Sequence, residues 1–204
     1  LCGIYIIGGV LNNWIFTQRI GETPASTPGY SIYVGFNEKT RGKWNKEDSD
    51  LLGYYNGLKG MTAQEVQQNM LKEAIGRIKN SAINYPDFFH KKMIVLWGND
   101  SGGIGYGEKV ITHKYAFESL SNGYYYFMWF LSMIGMLFLF FTRKNKLLYI
   151  FPLFAIGLSM AHLLVEVATR YHYSGIITLT FLAAYGLWSL GEFSERKNKK
   201  KTVI

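Results

Sequence analysis

The chain has 204 residues, a formal net charge of +8, 17% aromatic and 18% charged residues, and a mean hydropathy of +0.02. This average hides a division, because residues 13–122 hold most of the acidic groups and turn formers whereas residues 123–190 are almost continuously apolar. The basic clusters at 143–146 and 196–201 directly follow apolar stretches. Such placement is typical of topology signals in membrane proteins and argues against nucleic-acid binding. The single cysteine, Cys2, excludes an internal disulfide.

The first eleven residues are apolar and no basic residue precedes them. As a helix they would extend about 17 Å, whereas the hydrocarbon core of a bilayer is about 30 Å thick. A signal peptide would also need a basic segment at its start. We therefore expect residues 1–12 to be the end of a truncated membrane helix and the sequence to be a C-terminal fragment.

Residues 13–122 are predicted to form an extracytoplasmic, mostly helical segment with one short strand. The strand is predicted at Ser31–Phe36, where the run S-I-Y-V-G-F is β-prone and partly alternating. A capping box, Thr62 followed by Glu65, predicts the start of an amphipathic helix over about 63–79. Its apolar residues recur at a spacing of four, as expected for one face of a helix: Val66, Met70, Ala74 and Ile78.

A further helix is predicted to begin at Pro86 and Asp87. Large apolar residues are mixed there with His90, Lys91 and Lys92. That mixture suits a helix lying along the outer membrane surface. An ordinary core helix of the outer segment is the alternative, and the sequence leaves both open.

Trp44 and Asp48 are candidate ligand-binding residues between the predicted strand and the capping box. An indole ring can cover the apolar face of a sugar while a carboxylate binds its hydroxyl groups or a cation. The alternative is that Asp48 or Ser49 caps the helix that follows. The Gly-rich run from Asn99 onward follows no predicted strand and lacks the Lys-Ser/Thr of a phosphate-binding loop.

Residues 123–191 are predicted to hold three transmembrane helices, at about 124–142, 147–167 and 173–190. Each is close to the roughly 20 residues that a span requires. The basic turn at 143–146 and the basic tail at 192–204 are predicted to be cytoplasmic, since loops rich in Lys and Arg stay on that side. Segment 13–122 is then extracytoplasmic, and the protein is a multi-pass membrane protein.

The most informative polar residues are His162, Glu166 and Arg170. Their spacing of four predicts one face at the outer end of the second of these spans. Ionisable groups near a bilayer tend to face a protein interior or an aqueous cavity. One interpretation is a Glu166–Arg170 ion pair that locks the helix end. The other is an arginine at headgroup level that binds the phosphate of a lipid-linked substrate.

Four sequence segments resemble the C-terminal portion of bacterial membrane glycosyltransferases of the dolichyl-phosphate-mannose–protein mannosyltransferase superfamily, which have the C-type glycosyltransferase fold. They are V-G-F-N-x-x-T-x-G-x-W-N-x-E-D-S at 34–49, A-x-x-R-I-K-N at 74–80, F-F-x-K-K-x-x-x-L-W-G-N-D at 88–100 and E-V-A-T-R-Y at 166–171. The last element is the best match. It is followed here by His172-Tyr-Ser-Gly, where the family usually has Pro-rich sequence.

The resemblance implies an inverting transfer of a sugar from a polyprenyl-phosphate carrier to a glycan, lipid or protein acceptor on the outer face. Arg170 would contact the carrier phosphate, Glu166 would orient Arg170, and Tyr171 would lend a hydroxyl. The catalytic base would be an acidic residue upstream of this sequence, so the fragment alone would be inactive. The residues show no metal-ligand spacing, no cofactor is assigned, and membrane lipids are expected partners. A transporter or flippase half, and an anchored outer binding or assembly protein, are the alternative functions.

Overall fold

A computed structural model describes residues 28–102, 112–142 and 146–202, together with Leu11, Trp14, Ile15, Gln18 and Ile104; for 196–202 it describes the backbone alone. All regular structure in these ranges is helical. The helices are α1 Gly29–Gly35, α2 Lys46–Asn56, α3 Ala63–Asn80, α4 Tyr85–Trp97, α5 Lys114–Thr142, α6 Ile150–Leu164 and α7 Tyr173–Thr202. Two 3₁₀ turns, Lys146–Tyr149 and Thr169–His172, precede α6 and α7.

The chain divides into two compact units. The first comprises Leu1–Phe88 with Leu164–Glu166, and the second comprises Phe89–Leu163 with Val167–Ile204. The first unit therefore contains α1 to α3 and the second contains the long apolar helices.

The core of the first unit lies between α1 and α3. Val34 is fully buried on α1, and α3 buries Val66, Met70 and Ala74. The two helices approach so closely at Gly29 that an added Cβ would lie 1.9 Å from the Gln67 carbonyl oxygen. Only glycine fits there, which fixes how α1 lies against α3.

The predicted helix at 63–79 is confirmed, since α3 spans Ala63–Asn80. Both bonds of the capping box are present: the Thr62 N–H donates to Glu65 Oε2 at 2.8 Å, and the Glu65 N–H donates to Thr62 Oγ1 at 3.3 Å. These bonds satisfy two N–H groups that have no partner inside the helix. The local signal was sufficient because every group in it lies within one turn.

The predicted strand at Ser31–Phe36 is wrong, because these residues belong to α1 and its C-terminal cap. A strand needs a neighbouring strand for its backbone hydrogen bonds, and the described part of the chain provides none. Folding as a helix satisfies the same groups internally and buries Val34 against α3. Tertiary packing thus overrides a weak local β preference.

Three helices are long and apolar enough to cross a membrane: Lys114–Thr142, Lys146–Leu164 and Thr169–Glu195. The predicted mainly helical class with three candidate spans is therefore confirmed. The 15 residues of α6 extend about 22 Å, and the 3₁₀ turn before it adds about 8 Å. Their sum matches the roughly 30 Å of a hydrocarbon core.

Helices α5 and α7 pack closely along a seam of small residues. Ser132 Oγ donates to the Leu179 carbonyl at 2.7 Å. A Cβ added at Gly135 would lie 2.0 Å from the Leu182 carbonyl oxygen, and one added at Gly186 would lie 2.5 Å from the Leu131 carbonyl oxygen. Small residues that allow backbones to approach are a common basis for helix association in membranes.

The three candidate spans alternate in direction. Tyr125 lies beside His172 and Ser132 beside Leu179, so α5 and α7 run parallel. The Tyr149 hydroxyl donates to the Leu139 carbonyl at 3.1 Å, which places the start of α6 beside the end of α5. The 3₁₀ turn Thr169–His172 therefore lies at the opposite end of the spans from Lys146.

Candidate functional site

Arg170 lies in the 3₁₀ turn Thr169–His172, which joins the end of α6 to the start of α7. Its side chain is exposed. Two hydrogen bonds shape the turn: the Tyr171 N–H donates to the Ala168 carbonyl at 3.0 Å, and the Tyr173 N–H donates to the Arg170 carbonyl. The guanidinium is thus presented on a short, tight connection between two candidate spans.

The predicted helical face joining His162, Glu166 and Arg170 is wrong, because α6 ends at Leu164. The N–H of Glu166 donates instead to the Ser31 carbonyl at 2.7 Å. In a continued helix this N–H group would bond to a carbonyl within the helix. Glu166 belongs to the first unit. Its proposed role in orienting Arg170 stays a prediction.

The structure nevertheless brings three of the predicted residues together. The Tyr171 ring stacks on the His162 imidazole, with centroids 5.0 Å apart and planes inclined by 12°. The Arg170 guanidinium carbon lies 5.2 Å from the Tyr171 ring centroid, within the range of a cation–π contact. We call these three residues the stacked cluster. An arginine supported in this way loses less conformational freedom when it binds an anion.

Lys92 adds a second cation near the end of α6. Its side chain is fully buried, and Nζ donates to the Leu163 carbonyl at 2.9 Å. That carbonyl lies in the last turn of α6, where acceptors lack helical partners and a cation is favourable. Burial lowers the pKa of Lys92 from its usual 10.5 to about 7. The sequence left open whether this helix lies on the membrane surface or in a core, and it gave no indication of this contact.

A second group that sequence reasoning missed is the pair His172 and Asp100. His172 is fully buried at the end of the turn. Its Nδ1 lies 2.7 Å from the Leu96 carbonyl oxygen and its Nε2 lies 3.3 Å from Asp100 Oδ1. The sequence carries no local signal for this contact, because the partners lie on segments far apart in the chain.

An apolar groove runs between α5 and α6 in the second unit. One part, of about 360 Å³, is lined by Trp97, Ser159 and Leu163 among others. A second part, of about 470 Å³, extends towards Tyr149. The two parts are adjacent, since they share the lining residues Met136, Pro152 and Ile156. Leu163, which directly follows His162 in α6, is among the lining residues of the first part.

Trp44 and Asp48 lie in the first unit, and the structure treats them differently. Trp44 is 57% exposed, whereas Asp48 is 2% exposed. Asp48 accepts hydrogen bonds from Arg77 at 2.8 Å, from Asn37 at 2.9 Å and from Asn45 at 2.7 Å. Burial alone would raise the pKa of Asp48, but these bonds outweigh it and the pKa lies below its usual range.

These contacts give Asp48 a structural role. The capping alternative is close to what is seen, although Asn45 is the cap: the Asp48 N–H donates to Asn45 Oδ1 at 3.0 Å at the start of α2. Because both oxygens of Asp48 are engaged inside the unit, we leave Asp48 out of the proposed ligand contacts. The predicted sugar contact of Trp44 stays a prediction.

Comparisons of the chain with protein-family models, with curated proteins and with solved structures find no match. Among the described residues no three His, Cys, Asp or Glu side chains are grouped so that they could hold a metal ion.

Proposed function

We propose that this chain is part of a membrane glycosyltransferase that binds a polyprenyl-phosphate-linked sugar at the stacked cluster. The observation that carries the proposal is an exposed Arg170 guanidinium in the same unit as an apolar groove. A phosphate joined to a long hydrocarbon chain needs both features, a cation at the boundary and an apolar path within the membrane.

The guanidinium is suited to the phosphate because its planar fork matches two oxygens at once. In an inverting transfer the sugar leaves the carrier and negative charge grows on the phosphate. A positioned cation stabilises that charge in the transition state more than in the bound donor, which lowers the barrier. We propose that Arg170 supplies this stabilisation and that Tyr171 and His162 hold Arg170 in place.

The groove between α5 and α6 would take the first isoprene units of the carrier. Its lining is almost entirely apolar and includes Leu163, which follows His162 in the chain. In the proposed orientation the cluster faces the outer side, because the basic turn near Lys146 lies at the other end of the spans. The acceptor and the catalytic base are left unassigned.

The proposal is tested by sugar transfer in membranes from cells that express the full-length protein. The probe is tritiated polyprenyl-phosphate mannose, and transfer is compared for wild type, Arg170→Ala and Arg170→Lys. We expect Arg170→Ala to lower the rate by roughly 10² to 10³, as for loss of one donor to a developing anion. Arg170→Lys should fall between, since lysine keeps the charge but not the fork.

Arg41→Ala is the matched control, because Arg41 is also exposed and lies in the other unit. It should transfer sugar at the wild-type rate. Wild-type rates for Arg170→Ala at equal expression would remove Arg170 from the mechanism. Donor binding by wild type without any transfer would favour the alternative of a transporter half or a binding protein.

A further inference from the structure

His172 is the most completely enclosed polar side chain near Arg170. Its ring lies 5.1 Å from the Tyr125 ring and 6.0 Å from that of Trp97, which is nearly parallel to it. Tyr173 meets it edge-on at 4.9 Å. Trp97 is itself fixed by a hydrogen bond from Nε1 to Ser159 Oγ at 2.9 Å. The imidazole is therefore held on several sides by rings that cannot move freely.

The hydrogen bonds of His172 determine where its protons lie. The Leu96 carbonyl can only accept, so Nδ1 must carry a hydrogen. Nε2 faces a carboxylate oxygen of Asp100, and two lone pairs would repel each other there. The contact is favourable when one further proton lies between them, either on the imidazole or on the carboxyl group. The pair then has no net charge, which suits the burial of the imidazole.

Asp100 is anchored as firmly as His172. Its Oδ2 accepts from Ser121 Oγ at 2.7 Å, and its N–H donates to Asn122 Oδ1 at 2.8 Å. Ser121 and Asn122 belong to α5, whereas Leu96 belongs to α4. The pair thus connects the turn that carries Arg170 to two helices at once.

We infer that His172 and Asp100 are positioning residues for Arg170: by sharing one proton they fix the 3₁₀ turn that presents the guanidinium. This inference rests on the proposed function. The turn has only four residues and follows an extended residue, Ala168, so its own hydrogen bonds do little to fix its orientation. Gly102 supports it from one side, since an added Cβ would lie 3.0 Å from Thr169 Cβ.

The first measurement is hydrogen–deuterium exchange of the purified full-length protein in detergent, which does not depend on any activity. His172→Phe keeps the packing of an aromatic ring but removes both hydrogen bonds. We expect faster exchange at 169–173 and unchanged exchange in the middle of α7. His90→Phe, on an exposed position of α4, is the matched control and should exchange as wild type. Unchanged exchange at 169–173 in His172→Phe would overturn the inference.

Variants at Asp100 separate the hydrogen bond to His172 Nε2 from the effect of side-chain size. In Asp100→Asn the amide can donate to a neutral Nε2 while its oxygen still accepts from Ser121, so exchange should stay near the wild-type rate. Asp100→Ala removes the contacts with His172 and Ser121, so its exchange should resemble that of His172→Phe. Wild-type exchange at 169–173 in both Asp100→Asn and Asp100→Ala would contradict a role for the pair.

The second measurement is binding of farnesyl phosphate to the detergent-solubilised protein by equilibrium dialysis, with farnesol as the control that lacks the phosphate. We expect Arg170→Ala to weaken binding about tenfold, the effect of losing a charge-assisted bond pair. His172→Phe should weaken it about fivefold. If His172 acts through Arg170, His172→Phe should cause no further loss in the Arg170→Ala background.

The outcomes are distinct for the two proposals. Equal binding by wild type and Arg170→Ala would defeat the proposed phosphate site, and exchange at 169–173 would still decide whether His172 holds the turn. Additive losses in the double variant would show that His172 acts independently of Arg170 and would overturn the positioning role.

Discussion

Lys92 offers the sharpest test of the second unit, because its burial couples stability to pH. The unfolded chain keeps this amine protonated up to about pH 10.5, whereas in the folded protein burial lowers its pKa to about 7. Below pH 7 both states carry the proton, so stability does not change with pH and the cost of the buried charge is fully present. Above pH 7 the folded state releases the proton first, and stability rises until about pH 10.5.

The magnitude follows from the two pKa values. Between pH 7 and pH 9 the released proton stabilises the folded state by about 2 kcal/mol. For a chain of this size that corresponds to an increase in Tm of about 4–8 °C. Lys92→Met keeps the length of the side chain but cannot titrate, so its Tm should lack this increase.

Thermal unfolding in a nonionic detergent at pH 7 and pH 9 measures the effect. The quantity compared is the change in Tm of wild type minus that of the variant, so that other titrating groups cancel. Lys91→Met, at the neighbouring exposed position, is the matched control and should follow wild type. If Lys92→Met showed the same dependence on pH as wild type, Lys92 would not be buried as described and its contact with α6 would be wrong.

Two further variants test packing in each unit. Asp48→Ala leaves the Arg77 guanidinium without its carboxylate and should destabilise the first unit by about 3 kcal/mol in denaturant unfolding. Asp50→Ala, at an exposed position, is the control and should have little effect. Because the pKa of Asp48 is lowered, the stability that this carboxylate contributes in wild type is present above the usual carboxylate pKa and is lost as the pH falls through the pKa of the folded state. Gly135→Ala should lower Tm, since its Cβ would meet a backbone carbonyl of α7, whereas Gly157→Ala, with open space around it, should raise Tm through better helix propensity. Similar shifts for the two glycine variants would contradict the close contact between α5 and α7.

The features that sequence predicted well are those whose causes are local. The capping box at Thr62 lies within one helical turn, and its helix was placed almost to the residue. The three candidate spans were predicted because a run of roughly 20 apolar residues is typical of a membrane-spanning helix.

The features that sequence missed depend on contacts between distant segments. No Gly or Pro marks the end of α6. The helix ends just before Glu166, whose N–H donates to the Ser31 carbonyl. Lys92 looked like a surface residue because its neighbours in sequence are charged, yet it lies on the same face as buried Leu96. The bond between His172 and Asp100 likewise follows from packing and from no local spacing.

The sequence predicted that His162 and Arg170 lie near each other, whereas their role in binding stays a prediction. Arg170, Tyr171 and His162 do lie together, although the reason given for it, one shared helical face, was wrong. They meet because the chain reverses after α6 and the tyrosine ring folds back onto the histidine. A spacing of four indicated proximity here only by chance.

The central claim is that the end of the spans carrying Arg170 faces the outside and binds a prenyl phosphate. Labelling of Ser174→Cys, in a background in which Cys2 and any other cysteine are replaced by serine, tests it most directly, because Ser174 is exposed one turn from Arg170. We predict that an impermeant maleimide labels this cysteine in intact cells and that farnesyl phosphate, but not farnesol, slows the labelling. Labelling only after the cells are opened, or equal rates with and without farnesyl phosphate, would contradict the account.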